Sequence, residues 1–380
     1  MGDISHDSVR VLVLWADPSA ENLGLRALAE GARALAVRVW STDILTFHSH
    51  NTAGSPLTRR SVLRDIGRTR GPVKELLREF DVVLDTGGGD SFSDIYGLRR
   101  LMLQAYMYWA AGVVNVPVVM TPQTVGPFDS LLGRMIAKFV LRRSVFCATR
   151  DSVSADTVFT LTGKPPECVS TDLVFLAKPQ TSSAPSATVS RVNTEPYLIV
   201  NVSGLLWDKN SHVDHLLYRD SVRTLISTFL ARGYKVDLLA HVLDSPFPDN
   251  DVPVVRGLAA EFPGVDALVP ASLESARDSL SQASIVVASR MHACLNALSV
   301  GTPAVAWAYS RKFRPLLSSI GWEHVYDLRV SADVVSSTSR LIARSNIDLL
   351  ARDADRVSLE GYLMIDELVR VMKRLSIEAS

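Results

Sequence analysis

Short runs of aliphatic and β-branched residues alternate along this chain with longer segments in which apolar residues recur at helical spacing. Short buried strands that alternate with helices are typical of parallel β-sheets in α/β proteins. The alternation is interrupted once, by a stretch rich in Pro, Ser and Thr near residues 178–196, and this composition is typical of a linker. The predicted strands are 9–15, 37–40, 81–85, 116–121 and 145–149 before the interruption, and 197–202, 235–240, 285–287 and 303–307 after it.

The length of 380 residues exceeds what a single hydrophobic core usually serves, so the pattern predicts two domains. We expect an α/β protein of two Rossmann-like domains with a central cleft, a GT-B-like arrangement in which such a cleft commonly binds ligands. The expected N-terminal domain is 1–178, the linker is 179–196 and the C-terminal domain is 197–345. Residues 57–80 are predicted to be mostly helical, and 346–380 to form a helical segment that packs back across the domains.

Composition narrows the functional classes. Hydrophobic residues make up 47% and charged residues 21% of the chain, and the formal net charge is zero, which argues against bulk electrostatic binding to nucleic acid. The three cysteines are scattered and are expected to be buried thiols in a reducing compartment. No apolar run approaches the roughly 20 residues that span a bilayer, and the N-terminus shows no apolar signal region. We therefore expect a cytoplasmic protein, with peripheral contact at the inner face of the membrane as an alternative.

One segment, 133–143, bears on that alternative. It has the pattern of a basic amphipathic helix, because Arg134, Lys138, Arg142 and Arg143 are spaced among apolar residues. A helix of this kind can lie on an anionic membrane surface. The interpretation we favour from the sequence is a helix packed on the sheet with its charges in solvent.

The segment after the predicted strand 285–287 carries the strongest chemical signal. Arg290 and His292 follow this strand directly, and Lys312 follows the next strand, 303–307. Ligands bind at the carboxyl ends of strands in open α/β sheets, so we expect these three side chains at one site. A helix N-terminus with an Arg and a Lys favours a phosphate or carboxylate ligand, and a histidine side chain can transfer protons near neutral pH.

Candidate residues in the first half of the chain also follow predicted strands. Gly87–Gly89 allow positive φ and close approach of a ligand to the backbone, but a tight strand-to-helix turn explains them as well. Asp90 and Asp94 are candidates for a general base or for contacts to sugar hydroxyls, or for caps of the helix that follows. Gln123 begins a Gln-Thr-Val-Gly-Pro-Phe run at another strand end, where we expect neutral hydrogen bonds to a ligand.

Two further strand ends allow both a structural and a functional interpretation. Arg150 and Asp151 follow the strand 145–149 and fit an Arg–Asp pair or a helix cap as well as an anion contact. His241 ends the strand 235–240 and fits a buried structural histidine as well as a ligand contact. No cluster of His, Cys and carboxylate residues has the spacing of a zinc or iron site, so no bound metal is expected.

These ordered motifs together resemble those of the polysaccharide pyruvyltransferase family. The similarity covers most of the chain, from Asn22 to Lys312. Family members often carry Gly-Asp after the first Asn, whereas this chain has Asn22-Leu-Gly-Leu25. Besides the strand-end residues described above, the motifs that carry the resemblance are Asp172 with Phe175, Ser289-Arg-Met-His292, Gly301-Thr-Pro303 and Tyr309-Ser-Arg-Lys312.

The resemblance implies an enzyme that moves the pyruvyl group of phosphoenolpyruvate onto two hydroxyls of a polysaccharide or glycolipid sugar, forming a pyruvate ketal and releasing phosphate. Phosphoenolpyruvate is then a co-substrate, and the chemistry requires no metal or redox cofactor. The sugar acceptor is the second partner molecule, and a lipid-linked acceptor is one alternative. We expect His292 to transfer a proton, Arg290 to stabilise charge and Asp90 to act as the base. The implied donor-binding residues are Arg150, Arg290, Met291, His292 and Lys312, and the expected acceptor-binding residues are Gly88, Gly89, Asp90, Gln123 and His241.

Two other functions fit parts of the pattern. A nucleotide-sugar-dependent glycosyltransferase of the same architecture would need a ribose-binding acid in the second domain, and no clear candidate stands beside His292. A non-catalytic protein that binds sugar or phosphate is the other alternative. Against it, Arg290, His292 and Lys312 are all present.

Overall fold

The chain forms two compact units in the computed structural model. Of the predicted linker 179–196, only Pro196 lies within the described residues. The residues that the structure describes are 8–49, 57–176, 196–331 and 333–378. Unit 1 comprises Met1–Ala20, Leu25–Ala177 and Tyr362–Ser380, and unit 2 comprises Glu21–Gly24 and Lys178–Gly361.

Unit 1 is built on a parallel sheet of six strands in the order β2-β1-β3-β4-β5-β6. In chain order the strands are β1 Val11–Leu14, β2 Leu45–His48, β3 Val82–Asp85, β4 Val118–Gln123, β5 Phe146–Thr149 and β6 Cys168–Val169. The accompanying helices are α1 Leu23–Trp40, α2 Arg59–Asp65, α3 Pro72–Leu77, α4 Leu98–Val113, α5 Leu131–Arg143 and α6 Ser152–Thr162, with 3₁₀ turns at Asp94–Tyr96 and Leu173–Leu176. All residues of β1, β3, β4 and β5 are buried, as expected for a parallel sheet covered on both faces.

Unit 2 contains a second parallel sheet of six strands, in the order β12-β11-β10-β7-β8-β9. Its strands are β7 Tyr197–Asn201, β8 Lys235–Leu239, β9 Asp266–Leu268, β10 Ile285–Ala288, β11 Ala304–Ala308 and β12 Val325–Asp327. Its helices are α7 Gly204–Trp207, α8 His215–Ala231, α9 Val252–Glu261, α10 Leu273–Gln282, α11 Met291–Ser299, α12 Phe313–Ser319 and α13 Val334–Leu341, followed by a 3₁₀ turn at Arg344–Asn346 and by α14 Ile347–Glu378.

Both strand orders reverse direction at one point, and ligands of open α/β sheets bind at the carboxyl ends of the strands that flank such a point. In unit 1 the reversal lies between β1 and β3, because β2 follows β1 on one side and β3 joins it on the other. In unit 2 it lies between β7 and β10. Counted from its own first strand, unit 2 has the strand order 3-2-1-4-5-6 of the Rossmann fold.

The predicted strand at 37–40 was wrong. α1 continues to Trp40, and the second strand of the sheet is Leu45–His48 instead. The β-branched residues misled the pattern, because Leu35 and Ala36 are fully buried and extend the apolar face of the helix to its last turn. Tertiary packing therefore outweighs the strand propensity of the valines.

The prediction that 57–80 is mostly helical was correct, but it did not include a break within the segment. The segment forms two short helices, α2 and α3. Gly67 adopts a positive φ of 73° between them, which is not a helical conformation. Pro72 then occupies the first position of α3, where its missing N–H costs no helical hydrogen bond.

The long C-terminal helix α14 contributes to both units, with the division after Gly361. In unit 2, the hydroxyl of Ser358 donates a hydrogen bond to the carbonyl of Ser299 at 3.2 Å. In unit 1, the ring of Tyr362 contacts that of Phe175 edge to face, with centroids 6.1 Å apart. Each half of the helix is thus part of the core of its own unit.

Candidate functional site

The reversal point of the unit 2 sheet lies where β7 and β10 end. Asn201, the last residue of β7, links the two strand ends. Its Oδ1 accepts a hydrogen bond from the backbone N of Arg290 at 2.9 Å, and its carbonyl accepts one from Ser289 N at 3.2 Å. Arg290 directly precedes α11, so the guanidinium lies at the edge where a ligand is expected in this fold.

Arg290 is a nearly buried cation that two acceptors hold in place. Its Nη2 donates to Asp251 Oδ1 at 2.6 Å and to the carbonyl of Asp249 at 2.5 Å, and 10% of its side chain is exposed. Burial by itself would lower the pKa of Arg290, but neighbouring groups, first Asp251, raise it above its ordinary value. Its Nε is buried without a hydrogen-bond partner among the described residues, so the guanidinium keeps donor capacity for an anion.

Asp251 organises this region and was missed by the sequence analysis. Its side chain has no exposed surface, and each carboxylate oxygen accepts two hydrogen bonds. Oδ1 accepts from Arg290 and from Gly204 N at 2.7 Å, and Oδ2 accepts from the backbone N of His241 at 3.0 Å and of Val242 at 2.9 Å. Asp251 directly precedes α9, a position typical of a helix cap, yet its side chain makes no capping bond because it points to these four donors.

His241 is buried beside Asn296, and its predicted contact with the acceptor stays a prediction. Its exposed fraction is 1%, and Asn296 Nδ2 lies 3.2 Å from its Nε2. The Oδ1 of Asn296 already accepts from Arg277 Nε at 2.9 Å, so the amide turns its NH₂ group to the imidazole and Nε2 of His241 accepts. Burial, followed by the charges of His292, Arg290 and Arg277, lowers the pKa of His241 well below its usual range, and the ring is therefore neutral.

His292, the second residue of α11, is partly exposed and rests on Gly24. A Cβ atom on Gly24 would lie 2.6 Å from Nδ1 and 2.8 Å from Cγ of the imidazole, so only glycine leaves the ring its space. The backbone N of Gly24 donates to Asn22 Oδ1 at 2.8 Å, and Leu23 N donates to the carbonyl of His241 at 3.0 Å. The segment in which this chain departs from the common family pattern thus supports His292 within unit 2.

Met291 and Lys312 complete the predicted donor-binding residues of unit 2. Met291 opens α11 and is 5% exposed. The first amides of a helix have no intrahelical acceptor, so its backbone N–H is suited to an anion. Lys312 directly precedes α12 and is partly buried.

A small cluster around Lys312 was not recognised from the sequence. Burial and then the charge of Lys312 lower the pKa of His212, and the His212 ring contacts that of Tyr309 with centroids 5.4 Å apart. Tyr309, after Asp251, is among the groups that raise the pKa of Arg290 against the effect of burial. The strand ends of β10 and β11 therefore lie within electrostatic reach of each other.

In unit 1, the three glycines Gly87–Gly89 follow β3 at the reversal point, and all three adopt positive φ, at 54°, 57° and 82°. A Cβ atom on Gly87 would overlap the side-chain amide of Gln123. The carbonyl of Gly89 accepts a hydrogen bond from Thr124 N at 2.9 Å. The tight-turn interpretation therefore explains why glycines are needed here, and Gly88 and Gly89 remain predicted acceptor contacts.

Asp90 lies beside an arginine that the sequence analysis did not single out. Tyr96 donates its hydroxyl to Asp90 Oδ2 at 2.8 Å, and the Arg100 guanidinium lies 5.6 Å from the centroid of the Tyr96 ring. Burial lowers the pKa of Arg100, and the charge of Asp90 partly offsets this. Asp94, the other predicted carboxylate, instead accepts hydrogen bonds from the backbone N of Ser130 at 2.8 Å and from its hydroxyl at 2.7 Å.

Gln123 lies against the glycine turn, and its predicted contact with the acceptor stays a prediction. Its side chain is fully buried, and Nε2 lies 3.5 Å from the carbonyl of Asp85. Asp85 is itself a buried carboxyl group, whose oxygens accept from Tyr108 Oη at 2.7 Å and from Gly87 N at 2.9 Å. Asp85, Tyr108 and Gln123 are therefore a buried polar group packed against the glycine turn.

Replacing Asp85 by asparagine is expected to remove a pH-dependent part of the stability. Burial raises the pKa of Asp85 from 3.8 to about 6 despite hydrogen bonds that oppose it. Its protonated form therefore favours folding, fully so below about pH 4, and roughly 3 kcal/mol of this stability is lost as the pH rises through about 6. Urea unfolding of both proteins across this range should show their stability difference changing with pH, and a constant difference would contradict the assignment.

The Arg150 guanidinium is held by two acceptors, and its predicted contact with the donor stays a prediction. Its Nη1 donates to Asp172 Oδ2 at 2.7 Å and its Nε donates to Thr124 Oγ1 at 2.8 Å. Neither side chain of the Arg150–Asp172 pair has exposed surface. Asp151 caps α6 by accepting from Ser154 N at 2.7 Å. The sequence allowed an Arg–Asp pair or a helix cap as structural interpretations of Arg150 and Asp151. Asp151 is the helix cap, and Arg150 forms its ion pair with Asp172 and not with Asp151.

The predicted site residues thus fall into two groups. Unit 2 contains His241, Arg290, Met291, His292 and Lys312, and unit 1 contains Gly88, Gly89, Asp90, Gln123 and Arg150. Cys147, Cys168 and Cys294 are buried free thiols, as the sequence predicted. Within the described ranges, no group of three or more His, Cys, Asp and Glu residues is arranged to hold a metal ion, and none of the described helices is long and apolar enough to cross a membrane.

Two α/β units with parallel sheets define a protein of the GT-B-like fold class, and solved structures agree. UDP-GlcNAc 2-epimerase from Neisseria meningitidis matches 95% of this chain and all of its own length, with a TM-score of 0.55 and 12% identity. MnaA of S. aureus, solved with UDP, matches 95% of each chain with a TM-score of 0.57 and 11% identity. At such identities the similarity concerns the fold alone.

Within that class, the sequence identifies the family. The family model of the polysaccharide pyruvyl transferases matches residues 22–311, and the chain belongs to this family. The amylovoran biosynthesis protein AmsJ of Erwinia amylovora is 24% identical over 257 residues, which cover 64% of this chain and 60% of that protein.

Proposed function

We propose that this protein transfers the pyruvyl group of phosphoenolpyruvate to two hydroxyls of a glycan sugar, forms a pyruvate ketal and releases phosphate. The observation that carries the proposal is the position of Arg290. Asp251 holds this nearly buried cation at the reversal point of the unit 2 sheet, directly before the N-terminus of α11. Arginine and a helix N-terminus are suited to the phosphate and carboxylate of the donor.

The proposed donor site consists of Arg290, the Met291 backbone, His292 and Lys312. Phosphoenolpyruvate carries two anionic groups, so it requires more than one cationic donor. Arg290 is fixed by Asp251 and Asp249, which suits precise orientation, whereas Lys312 is a partly buried point charge on a flexible stem. Arg150 belongs to unit 1 and pairs with Asp172, and its contact with the donor stays a prediction.

The proposed reaction uses proton transfer and substitution. A proton is added to the methylene carbon of the donor while one sugar hydroxyl forms a bond to the enol carbon and loses its own proton. The carbon–phosphate oxygen bond then breaks, and phosphate departs as the second hydroxyl attacks the same carbon. The departing phosphate takes up the proton that the second hydroxyl loses. We assign proton transfer to His292 and stabilisation of the phosphate charge to Arg290.

For the acceptor we propose the glycine turn in unit 1, in which Gly88 and Asp90 are partly exposed and Gly89 is buried. Asp90 is the base for a sugar hydroxyl in this proposal. Tyr96, which donates to Asp90, orients the carboxylate. Arg100 supplies a cation at the same turn, which suits an acceptor with an anionic group.

The function is tested by incubating the purified protein with phosphoenolpyruvate and candidate glycans while following phosphate release and the mass of the glycan. We expect phosphate release that depends on the glycan, together with a pyruvate-sized mass increase. A parallel incubation with nucleotide sugars distinguishes the glycosyltransferase alternative, which would release nucleoside diphosphate. Turnover of nucleotide sugars without any from phosphoenolpyruvate would overturn the proposal.

Replacing Lys312 by alanine is expected to weaken donor binding more than it slows turnover. The side chain is only partly buried and caps no helix, so its loss should leave the fold intact. We expect the KM for phosphoenolpyruvate to rise by about tenfold, the effect of one charge-assisted contact of roughly 1.4 kcal/mol. Arg311→Ala, at an exposed neighbouring position, is the matched control, and an unchanged KM in Lys312→Ala would remove this residue from the site.

A further inference from the structure

The helix α5 exposes apolar residues on the face that points away from the unit 1 core. Gly133, Ala137, Val140 and Leu141 form its buried face. The opposite face follows helical spacing and consists of Leu131, Met135, Lys138 and Arg142, with Leu132 beside it. The sequence-based interpretation of a packed helix is therefore correct for one face. It does not explain why the other face begins with leucines and a methionine.

The apolar side chains of this face are largely exposed to solvent, unlike apolar side chains that pack against the rest of the protein. Leu131 is 75% exposed, Met135 is 62% exposed and Leu132 is 48% exposed. A surface helix normally presents polar residues on such a face. Three large apolar side chains within two turns of one helix instead indicate a surface that binds an apolar partner, either another protein or a membrane.

The 3₁₀ turn Asp94–Tyr96 lies against the first turn of α5 and carries a further exposed apolar residue. The Asp94 carboxylate accepts hydrogen bonds from the backbone and hydroxyl of Ser130, and a Cβ atom on Gly133 would overlap it. The turn is therefore fastened to the first turn of α5. Ile95, the next residue, is 55% exposed.

The charge of α5 indicates what this surface contacts. The helix contains four basic residues and no acidic residue. Arg134 turns back to the carbonyl of Phe128, to which its Nε donates at 2.9 Å, and Arg143 lies 4.6 Å from the centroid of the Phe139 ring. Lys138 and Arg142 continue the exposed face beyond Met135. Exposed aliphatic residues followed by cations complement the acyl and headgroup layers of an anionic membrane.

We propose that unit 1 docks on an anionic lipid bilayer through this surface, the α5 face, which consists of Ile95, Leu131, Leu132, Met135, Lys138 and Arg142. Docking does not depend on the proposed pyruvyl transfer. A second consequence does rest on that function: Tyr96 belongs to the turn fastened to α5 and donates to Asp90. The α5 face is thus joined to the proposed acceptor base, which suits an acceptor sugar carried on a membrane lipid.

The test is co-sedimentation of the full-length protein with phosphatidylcholine vesicles, with and without phosphatidylglycerol. We expect binding to the vesicles that contain phosphatidylglycerol and little binding to those without it. The triple variant L131Q/L132Q/M135Q and the charge reversal K138E/R142E should each lower the partition coefficient by at least about tenfold. The matched control L349Q/L359Q/L363Q changes three leucines of α14 that are 52–56% exposed and should bind like the wild type.

Three results would overturn the proposal. The first is wild-type protein that does not bind anionic vesicles, and the second is an equal loss of binding in the α14 control. The third is self-association in sedimentation velocity that the L131Q/L132Q/M135Q variant abolishes, because a second copy of the chain would then cover the face. All variants should unfold at the wild-type temperature and bind phosphoenolpyruvate normally, which separates this test from that of the enzymatic function.

Discussion

Replacing Asp251 by asparagine is expected to lower the free energy of unfolding by about 3–5 kcal/mol, the range for breaking a buried ion pair. The substitution preserves volume but not hydrogen bonding. Oδ1 and Oδ2 of Asp251 each accept two hydrogen bonds, so an amide NH₂ group would face donors in either orientation. The substitution would also leave the Arg290 guanidinium without its buried counter-charge.

Chemical denaturation followed by circular dichroism measures this effect. Asp249→Asn is the matched control, because Asp249 holds Arg290 through its backbone carbonyl and uses its side chain for the Ser245 hydroxyl. We expect a loss of about 1 kcal/mol or less for the control, as for a single hydrogen bond near the surface. A loss for Asp251→Asn as small as that for Asp249→Asn would show that Asp251 does not organise the site.

Replacing His292 by glutamine is expected to reduce turnover by roughly 100-fold or more, the usual scale for losing a general acid or base. Glutamine retains a hydrogen-bonding group but cannot transfer a proton. His292 is partly exposed, and its neighbour His241 is neutral, so the substitution should leave the midpoint of thermal unfolding within a few degrees of the wild type. The measurement is kcat for phosphate release at saturating phosphoenolpyruvate.

His324→Gln is the control for this experiment. His324 is also partly buried in unit 2, but it packs edge to face on Trp322, with ring centroids 4.7 Å apart, and has no part in the proposed site. We expect its kcat to remain close to the wild-type value. Near-native turnover by His292→Gln, or an equal loss in both variants, would contradict the catalytic assignment.

The sequence pattern predicts the two parallel sheets and the strand end that carries Arg290 and His292, because both depend on local features. Arg290 and His292 follow a strand of four buried residues, and the carboxyl end of such a strand is where this fold binds ligands. The prediction fails where packing between distant parts of the chain determines the secondary structure. Val37 and Val39 have strand propensity, yet the buried Leu35 and Ala36 keep them helical.

The supporting residues could not be predicted for the same reason. Asp251 lies 39 positions from Arg290 and stands directly before a helix, where an aspartate usually acts as a cap. Arg150 and Gln123 have polar side chains at strand ends, yet both are buried. Arg150 contacts Asp172 and Gln123 contacts Gly87, and only the folded chain brings these partners together.

The segment Glu21–Gly24 belongs to unit 2, although the chain on both sides of it belongs to unit 1. Expressing residues 196–361 alone would therefore yield a unit without the glycine on which His292 rests, and would truncate α14 at Gly361. The same holds for chimaeras with related proteins. If only the second half of the chain is exchanged, His292 of one protein would lie against the residue that replaces Gly24 in the other. For protein engineering, the interchangeable module is a discontinuous one, and it must include Asn22 and Gly24.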